Sequence, residues 1–191
     1  MKKHNVGAGL INVIESLYND NSNAVLTGSN GTMEWFQTTV GVRQGCILSP
    51  CLFNIFLEQI MTEALDNYSG TIRVSGRQIT NLRFADDIDL IAGTKEELEE
   101  LTKRLDTEAR KYGMEISAEK SKTLVTSRIA AEVASDTIIK VAGTELEEVK
   151  TFQYLSSTFN EDVTSEHEIK KRLAIATNQL AKLNRLSVLF H

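Results

Sequence analysis

The sequence predicts an α+β protein in which small antiparallel sheets pack on helices. Segments with apolar residues at helical spacing alternate with short β-rich runs, and turn signals such as Asn30-Gly31 and Ser75-Gly76 separate several of these runs. Turns this short join antiparallel strands. The 191 residues are 41% hydrophobic and 25% charged, as in ordinary globular proteins. No apolar run approaches the ~20 residues that a membrane-spanning helix needs.

Two helices and a hairpin are expected in the first third of the chain. "VGAGLINVIESLYND" has helical spacing, and Asn30-Gly31 places a hairpin within "SNAVLTGSNGTMEWFQTTV". The loop "GVRQG" leads to a central helix that begins near Pro50, where the missing N–H of proline costs nothing. The wide apolar face of this helix is formed by Leu52, Phe53, Phe56, Leu57, Ile60 and Ala64.

Two further hairpins are expected in the middle of the chain. Ser75-Gly76 separates the strands of the first. "NLRFADDIDLIAG", residues 81–93, predicts a buried strand pair with Asp86 and Asp87 at its turn. Asp89 is expected to be structural and paired with a base such as Arg83. The apolar residues of this strand pair are Leu82, Phe84, Ile88, Leu90 and Ile91.

The second half of the chain predicts two helices with strand-like runs between them. Thr94 and Glu97 form a capping box for the first helix, and Gly113 suits its C-terminal end. The strand-like runs are "MEISAEKSKTLVTS", "TIIKVAG" and "VKTFQYLSSTF". Ser165 and Glu168 form a second capping box. The buried stripe of the first helix is predicted to be Leu98, Leu101, Leu105, Ala109 and Tyr112. The inward face of the last helix is predicted to be Ile169, Leu173, Ala176, Leu180 and Leu183.

Charge and cysteine content constrain the function. The net charge of −5 and the pI of about 5.3 argue weakly against a nucleic-acid partner. However, residues 169–191 contain five Lys or Arg and no acid, which keeps a phosphate-binding surface possible. Cys46 and Cys51 form neither a CxxC pair nor a disulfide framework, and we expect two small buried thiols. We expect an intracellular protein, because no apolar signal core follows the first residues.

The adjacent carboxylates of Asp86 and Asp87 need an explanation, because neighbouring negative charges repel one another. Aspartate is common in surface turns, where its side chain bonds nearby backbone groups. A turn alone does not explain the apolar flanks or the third acid, Asp89. A divalent cation would remove the repulsion, since hard cations such as Mg²⁺ bind carboxylate oxygens together with substrate phosphates. Two such ions can promote phosphoryl transfer.

The order of motifs around this pair resembles the reverse transcriptase palm of non-long-terminal-repeat, LINE-like retrotransposons. "GVRQGCILSPCLF" precedes the Asp-Asp hairpin, and a helix, Gly113, "EKSK" and "FQYL" follow it. The resemblance covers essentially the whole chain. It implies that residues 1–42 are a helix and a fingers hairpin, and that 43–135 are the palm core. Residues 136–162 would be primer-grip strands, and 163–191 would begin the thumb helix.

The resemblance also implies roles for individual residues. Asp86 and Asp87 would be catalytic and hold Mg²⁺, or Mn²⁺ in its place, with Asp86 the more direct ligand. Lys120 would neutralise or protonate the leaving pyrophosphate. The residues implied to border the incoming nucleotide and the primer end are Arg43, Gln44, Gly45, Phe84 and Ala85. The residues that match the primer grip are Phe152, Tyr154 and Leu155.

Each of these roles has a structural alternative. Arg43 could be a solvated loop charge, and Lys120 could simply flank a strand. The alternation of Phe152, Tyr154 and Leu155 is also that of core residues. Ser156 stands where the family usually has glycine.

The family's earlier catalytic aspartate, in a strand ending in "AFD", has no counterpart here. Asp20 is the only aspartate in residues 1–42, and it lies in a predicted loop. We therefore expect a truncated enzyme that is inactive by itself, although the resemblance implies RNA template, DNA primer and dNTPs as partners and a nuclear location. The alternatives are a non-catalytic module that binds nucleic acid or protein, and a different Mg²⁺ phosphotransferase.

Overall fold

The structure is a computed structural model that divides into two compact units, residues 1–91 and 92–191. The predictions for Asn30 and Asp20 lie outside the described residues, as does the predicted boundary at 135 and 136. The division at Ile91 falls inside the predicted palm core, so the four-segment organisation stays a prediction. The residues that the structure describes are 1–19, 21–27, 31–127, 138–161 and 164–187.

Both helices expected in the first unit form, and α2 begins at the signal that Pro50 provides. A short 3-10 helix, Lys2–His4, precedes α1, Ala8–Tyr18, and Pro50 lies in the first turn of α2, Ser49–Ala64. The predicted apolar face of α2 is confirmed at its C-terminal half, whereas no residue of α1 is buried. The buried apolar residues of α2 are Leu57, Ile60, Met61 and Ala64.

The strands of the first unit pair only as two-stranded antiparallel sheets among the described residues. The sequence predicts a hairpin at Asn30-Gly31. Leu26–Thr27, before Asn30, does pair with Gly31–Thr32, after it. Ser75 and Gly76 both have positive φ and connect another pair. The pairs are β1 (Ser22–Asn23) with β4 (Phe36–Gln37), β2 (Leu26–Thr27) with β3 (Gly31–Thr32), β5 (Arg73–Val74) with β6 (Arg77–Gln78), and β7 (Asn81–Phe84) with β8 (Asp87–Leu90).

The second unit begins with α3, Lys95–Lys111, whose predicted cap is confirmed. The Glu97 N–H donates to Thr94 Oγ1 (3.2 Å), and the Gly93 N–H donates to Glu97 Oε2 (3.0 Å). Tyr112 is 36% exposed, so its predicted place in the buried stripe is wrong. The apolar core of this unit consists of Leu101, Leu105, Ala109, Ile139 and Val141.

Of the strand-like runs in the second unit, "MEISAEKSKTLVTS" is mostly loop, and only β9 (Lys122–Thr123) forms a strand in it. That strand pairs in parallel with Glu147–Glu148. The remaining elements are β10 (Lys140–Val141), β11 (Thr144–Glu145), β12 (Glu147–Glu148), β13 (Thr151–Tyr154), β14 (Ser157–Asn160) and α4 (Glu166–Ser187). They pair as β10 with β11, β12 with β9, and β13 with β14.

The predicted inward face of α4 is wrong for its described side chains. Ile169 is 63% exposed, Leu173 67% and Leu180 63%, and Ala176 is also exposed. The spacing correctly predicts an apolar stripe, but no described residue covers it. Leu183 lies outside the described side chains. Of the described helices, none combines the length and the apolar character needed to cross a bilayer.

Candidate active site

The two aspartates lie at the tip of the β7–β8 hairpin, as predicted. Phe84 pairs with Asp87 across the strands, so Ala85 and Asp86 form a two-residue turn. Ala85 has φ +53°, a left-handed conformation that the favoured two-residue hairpin turns have at their first residue. Asp86 therefore lies in the turn and Asp87 begins the return strand, and both side chains are exposed.

The register distributes the side chains of this hairpin between two faces. Residues paired across antiparallel strands point to the same face, and the direction alternates along each strand. Arg83 pairs with Ile88, so they share the face opposite to Phe84 and Asp87. One face therefore carries Leu82, Phe84, Asp87 and Asp89, and the other carries Asn81, Arg83, Ile88 and Leu90.

The face that carries the carboxylates is largely uncovered. Leu82 is 46% exposed and Phe84 is 63% exposed, so the prediction of a buried strand pair is wrong for these two side chains. Ile88 and Leu90, on the other face, are half-buried. The apolar pattern correctly predicted strands, but Leu82 and Phe84 remain exposed, whereas Asp89 on the same face is half-buried.

An ion pair connects the hairpin to α2. Arg83 Nη1 donates to Glu58 Oε2 at 2.8 Å. The prediction that Arg83 pairs with Asp89 is therefore wrong, and the physical reason is that these two side chains point to opposite faces. Sequence reasoning missed Glu58, because no local signal connects residues separated by 25 positions.

Three carboxylates, those of Asp86, Asp87 and Asp89, lie at or near the hairpin tip. Burial, and secondarily the charge of Asp87, raise the pKa of Asp89. Neither Asp86 nor Asp87 forms an ion pair within the part of the chain that the structure describes. A divalent cation is the type of ligand that would remove this repulsion.

The donor chemistry fits a divalent ion only in part. Asp86 and Asp87 supply exposed carboxylate oxygens, which hard cations prefer. Across the described residues, no cluster of three or more acidic, histidine or cysteine side chains could hold a metal. Asp86 and Asp87 therefore supply part of a coordination shell, and other ligands such as substrate phosphates would have to complete it.

The loop of residues 43–49 is folded back on itself at the start of α2. The Ser49 hydroxyl donates to the Arg43 carbonyl oxygen (2.6 Å), and the Cys46 N–H donates to the same oxygen (3.3 Å). Gly45 has φ +79°, which favours glycine at this position. Gln44 and Gly45 are thereby presented at the exposed outer side of the loop.

The Arg43 side chain is exposed, but it has partners within the chain as well as solvent. Its Nη2 donates to the Leu17 carbonyl oxygen (2.7 Å) and to Asn21 Oδ1, and its guanidinium lies 5.8 Å from the centre of the Tyr18 ring. Arg43 therefore fastens the loop to the end of α1. The implied contact of Arg43 with nucleotide stays a prediction.

The expectation of two buried cysteines is wrong, because Cys46 is half-buried and Cys51 is exposed. A hydrogen bond from the Leu48 N–H lowers the pKa of the Cys46 thiol, with smaller contributions from Ser49 and Arg43.

The remaining predicted site residues belong to the second unit. Lys120 lies in an exposed turn. The Lys120 N–H donates to the Ser117 carbonyl oxygen (3.2 Å). Phe152 and Tyr154 are half-buried on β13, opposite Phe159 and Ser157. Leu155 and Ser156 form the turn to β14, with φ of +45° and +71°.

The structure thus groups the predicted residues on four local elements. Phe84, Ala85, Asp86 and Asp87 share one hairpin, and Arg43, Gln44 and Gly45 share one loop. Phe152, Tyr154 and Leu155 share another hairpin, and Lys120 lies alone in its turn.

Comparison with known proteins places this chain in a family. A model described as reverse transcriptase (RNA-dependent DNA polymerase) matches residues 2–159. The chain is 26% identical over 165 residues to the retrovirus-related Pol polyprotein from the type-1 retrotransposable element R2 of Popillia japonica, covering 84% of this chain and 27% of that protein. No solved structure gives a significant match.

Two further relatives match shorter segments. The R2 polyprotein of Nasonia vitripennis is 34% identical over 90 residues, which are 47% of this chain and 9% of the relative. A transposon-derived protein of Caenorhabditis elegans is 34% identical over 101 residues, 53% of this chain and 36% of the relative. The matched part of the chain therefore spans between 9% and 36% of the length of these three relatives.

Proposed function

Because this chain belongs to the reverse transcriptase (RNA-dependent DNA polymerase) family, we propose that it forms the palm core of an enzyme that extends a DNA primer on an RNA template. The observation that carries this proposal is the exposed Asp86–Asp87 pair at a hairpin tip, to which no base among the described residues forms an ion pair. The proposed substrates are dNTPs.

In this proposal Asp86 and Asp87 hold Mg²⁺, or Mn²⁺ in its place. When bound, such ions activate the attacking hydroxyl and stabilise the leaving oxygen in phosphoryl transfer. Ala85, with positive φ, forms the two-residue turn together with Asp86, and the Arg83–Glu58 ion pair joins the hairpin to α2. The carboxylates therefore lie close to the residue that joins the hairpin to α2.

The loop of residues 43–49 supplies a second part of the proposed site. Gln44 and Gly45 border the incoming nucleotide, and the absence of a Cβ at Gly45 permits close approach of the backbone. Arg43 supports this loop from behind through its bonds to the end of α1. Lys120 is proposed to assist departure of pyrophosphate.

Metal binding by the 191-residue chain is the direct test. We expect Mn²⁺ to broaden the NMR signals of residues 84–88 selectively and with weak affinity, because the two carboxylates are only part of a coordination shell. Asp86→Asn and Asp87→Asn should each abolish this broadening. Asp66→Asn, a matched change of an exposed aspartate at the end of α2, should leave it intact. Equal broadening in all variants would contradict the proposed site.

Primer extension is the second test. We expect the 191-residue chain by itself to give no template-dependent extension with Mg²⁺ or Mn²⁺. Two-metal transfer needs carboxylates that bridge both ions, and an incomplete set lowers the rate by about a thousandfold or more. Extension that disappears in Asp86→Asn would show that the chain supplies a complete site.

A second candidate function rests on α4. Its exposed apolar stripe and the bases of residues 169–191 suit a non-catalytic module that binds nucleic acid or protein. A salt titration of binding to a primer–template separates the two partners, because contacts to phosphates weaken steeply as salt increases. Binding that does not change with salt would favour a protein partner.

A further inference from the structure

Two consecutive residues of β14 are held by three side chains from the first turns of α4. Glu168 Oε2 accepts a hydrogen bond from the Thr158 N–H at 3.0 Å. Lys171 Nζ donates to Thr158 Oγ1 at 3.2 Å, and Arg172 Nη2 donates to Ser157 Oγ at 3.2 Å. We refer to these contacts, between Ser157 or Thr158 and Glu168, Lys171 or Arg172, as the α4 latch.

Glu168 is the centre of the latch. Its side chain is only 14% exposed, and its second oxygen, Oε1, accepts from Arg172 Nε at 2.6 Å. One carboxylate therefore orients the arginine that contacts Ser157 and also binds the backbone of Thr158 itself. Hydrogen bonds that involve a charged partner are among the stronger ones in proteins.

The backbone geometry explains why Thr158 is the residue that is bound. Tyr154 and Ser157 flank a two-residue turn, so they form a hydrogen-bonded pair, and Gln153 with Thr158 is the next, non-hydrogen-bonded pair. The Thr158 N–H therefore points away from β13 toward an open strand edge. Glu168 satisfies this donor, which an open edge would otherwise leave to solvent.

We propose that Glu168 is a positioning residue that locks α4 to the β13–β14 hairpin, so that the two elements bind the backbone of a primer–template as one unit. The binding part rests on the proposed function; the locking part does not. The bases near the start of α4 contribute to the lock, because they have partners within the chain. Lys170 pairs with Glu166 (2.6 Å), and Lys171 and Arg172 contact β14.

Amide hydrogen exchange of the free chain tests the lock. In Glu168→Ala the Thr158 N–H should exchange about tenfold faster or more, because it loses a charged acceptor. Glu168→Gln keeps an acceptor oxygen and should restore much of the protection. Glu166→Gln is the matched control, since it removes one charge from the same turn of α4 and the ion pair of Glu166 is with Lys170 of α4 itself. Unchanged exchange at Thr158 in Glu168→Ala would overturn the lock.

Affinity for a primer–template tests the binding part, and charge and positioning predict opposite signs. Removing a negative charge favours binding to phosphates by electrostatics alone, so Glu166→Gln should bind equally or more tightly. Glu168→Ala should bind about threefold more weakly or worse, because α4 and the hairpin no longer move together. Arg172→Ala removes the partner of Glu168 and is a second way to weaken the lock. It should also increase the exchange rate of the Thr158 N–H.

Equal tightening by the Glu166 and Glu168 variants would overturn the positioning role, since Glu168 would then act only through its charge. If the unmodified chain does not bind the primer–template at all, the binding part and the proposed nucleic-acid role both fail. The Thr158 exchange rates decide on the lock in that case as well, because they are measured without nucleic acid.

Discussion

Replacing Ser156 with glycine should stabilise the protein. Among the described hairpins, three two-residue turns have positive φ at both positions: Ser75-Gly76, Ala142-Gly143 and Leu155-Ser156. The first two have glycine at the second position, and only the third has a residue with a side chain there. Ser156 adopts φ +71°, close to the +79° of Gly76 and the +84° of Gly143.

The magnitude follows from two opposing effects of Ser156→Gly. A left-handed conformation costs an L-residue about 1–2 kcal/mol, which glycine avoids. Glycine also gains conformational freedom in the unfolded chain, which offsets about 0.5–1 kcal/mol. We therefore expect a net increase in the free energy of unfolding of about 0.5–1 kcal/mol.

Urea unfolding followed by far-ultraviolet circular dichroism measures this change. With a slope of about 2 kcal/mol per molar urea, the midpoint should rise by about 0.3–0.5 M without a change of slope. Ser69→Gly is the control, because Ser69 is exposed and does not have positive φ. Ser69→Gly should destabilise the protein slightly. A midpoint that falls equally in both variants would refute the assignment of strain to Ser156.

Three further predictions concern capping, ionisation and thiol reactivity. Thr94→Ala should lower the free energy of unfolding by about 1 kcal/mol, because an N–H in the first turn of α3 loses its acceptor, whereas Thr94→Ser should keep most of it; equal losses in urea titrations of both variants would contradict this. The raised pKa of Asp89 means that its protonated form favours the folded state and that this contribution is lost as pH rises through the folded pKa. Asp89→Asn should therefore stabilise the protein at about pH 7 and not at about pH 3, and a gain of equal size at both pH values would argue against it. In a Cys51→Ser variant, alkylation of Cys46 by iodoacetamide should begin at lower pH than alkylation of a cysteine in an unstructured peptide, and coincident pH–rate profiles would contradict the lowered pKa.

The ends of the helices and the aspartate hairpin could be predicted because their signals are local. Pro50, Thr94 and Gly113 act within one helical turn, and the alternation around Asp86 identifies two strands from their own residues. The sheet face on which each side chain lies could not be predicted as reliably as the positions of the strands. A one-residue change in the length of the turn would move every side chain of β8 to the other face.

Local sequence patterns predicted neither the contacts between separate elements nor which apolar helix faces are buried. The bonds of Arg43 to the end of α1 and of Glu168 to Thr158 depend on how separate elements pack. Periodicity shows which side chains of α1 and α4 are apolar, but it does not show whether anything covers them. For that reason the α4 stripe was predicted correctly as a pattern, and wrongly as a buried surface for its described side chains.

The shared face of the β7–β8 hairpin has a thermodynamic consequence. Leu82 and Phe84 lie on the same side as Asp87 and Asp89, so any segment that covers the apolar side chains also removes water from the carboxylates. Coverage alone would make ionisation of those acids harder, and a bound cation would relieve that penalty. Association at this face and cation binding at the hairpin tip are therefore linked, and each should strengthen the other by the same factor.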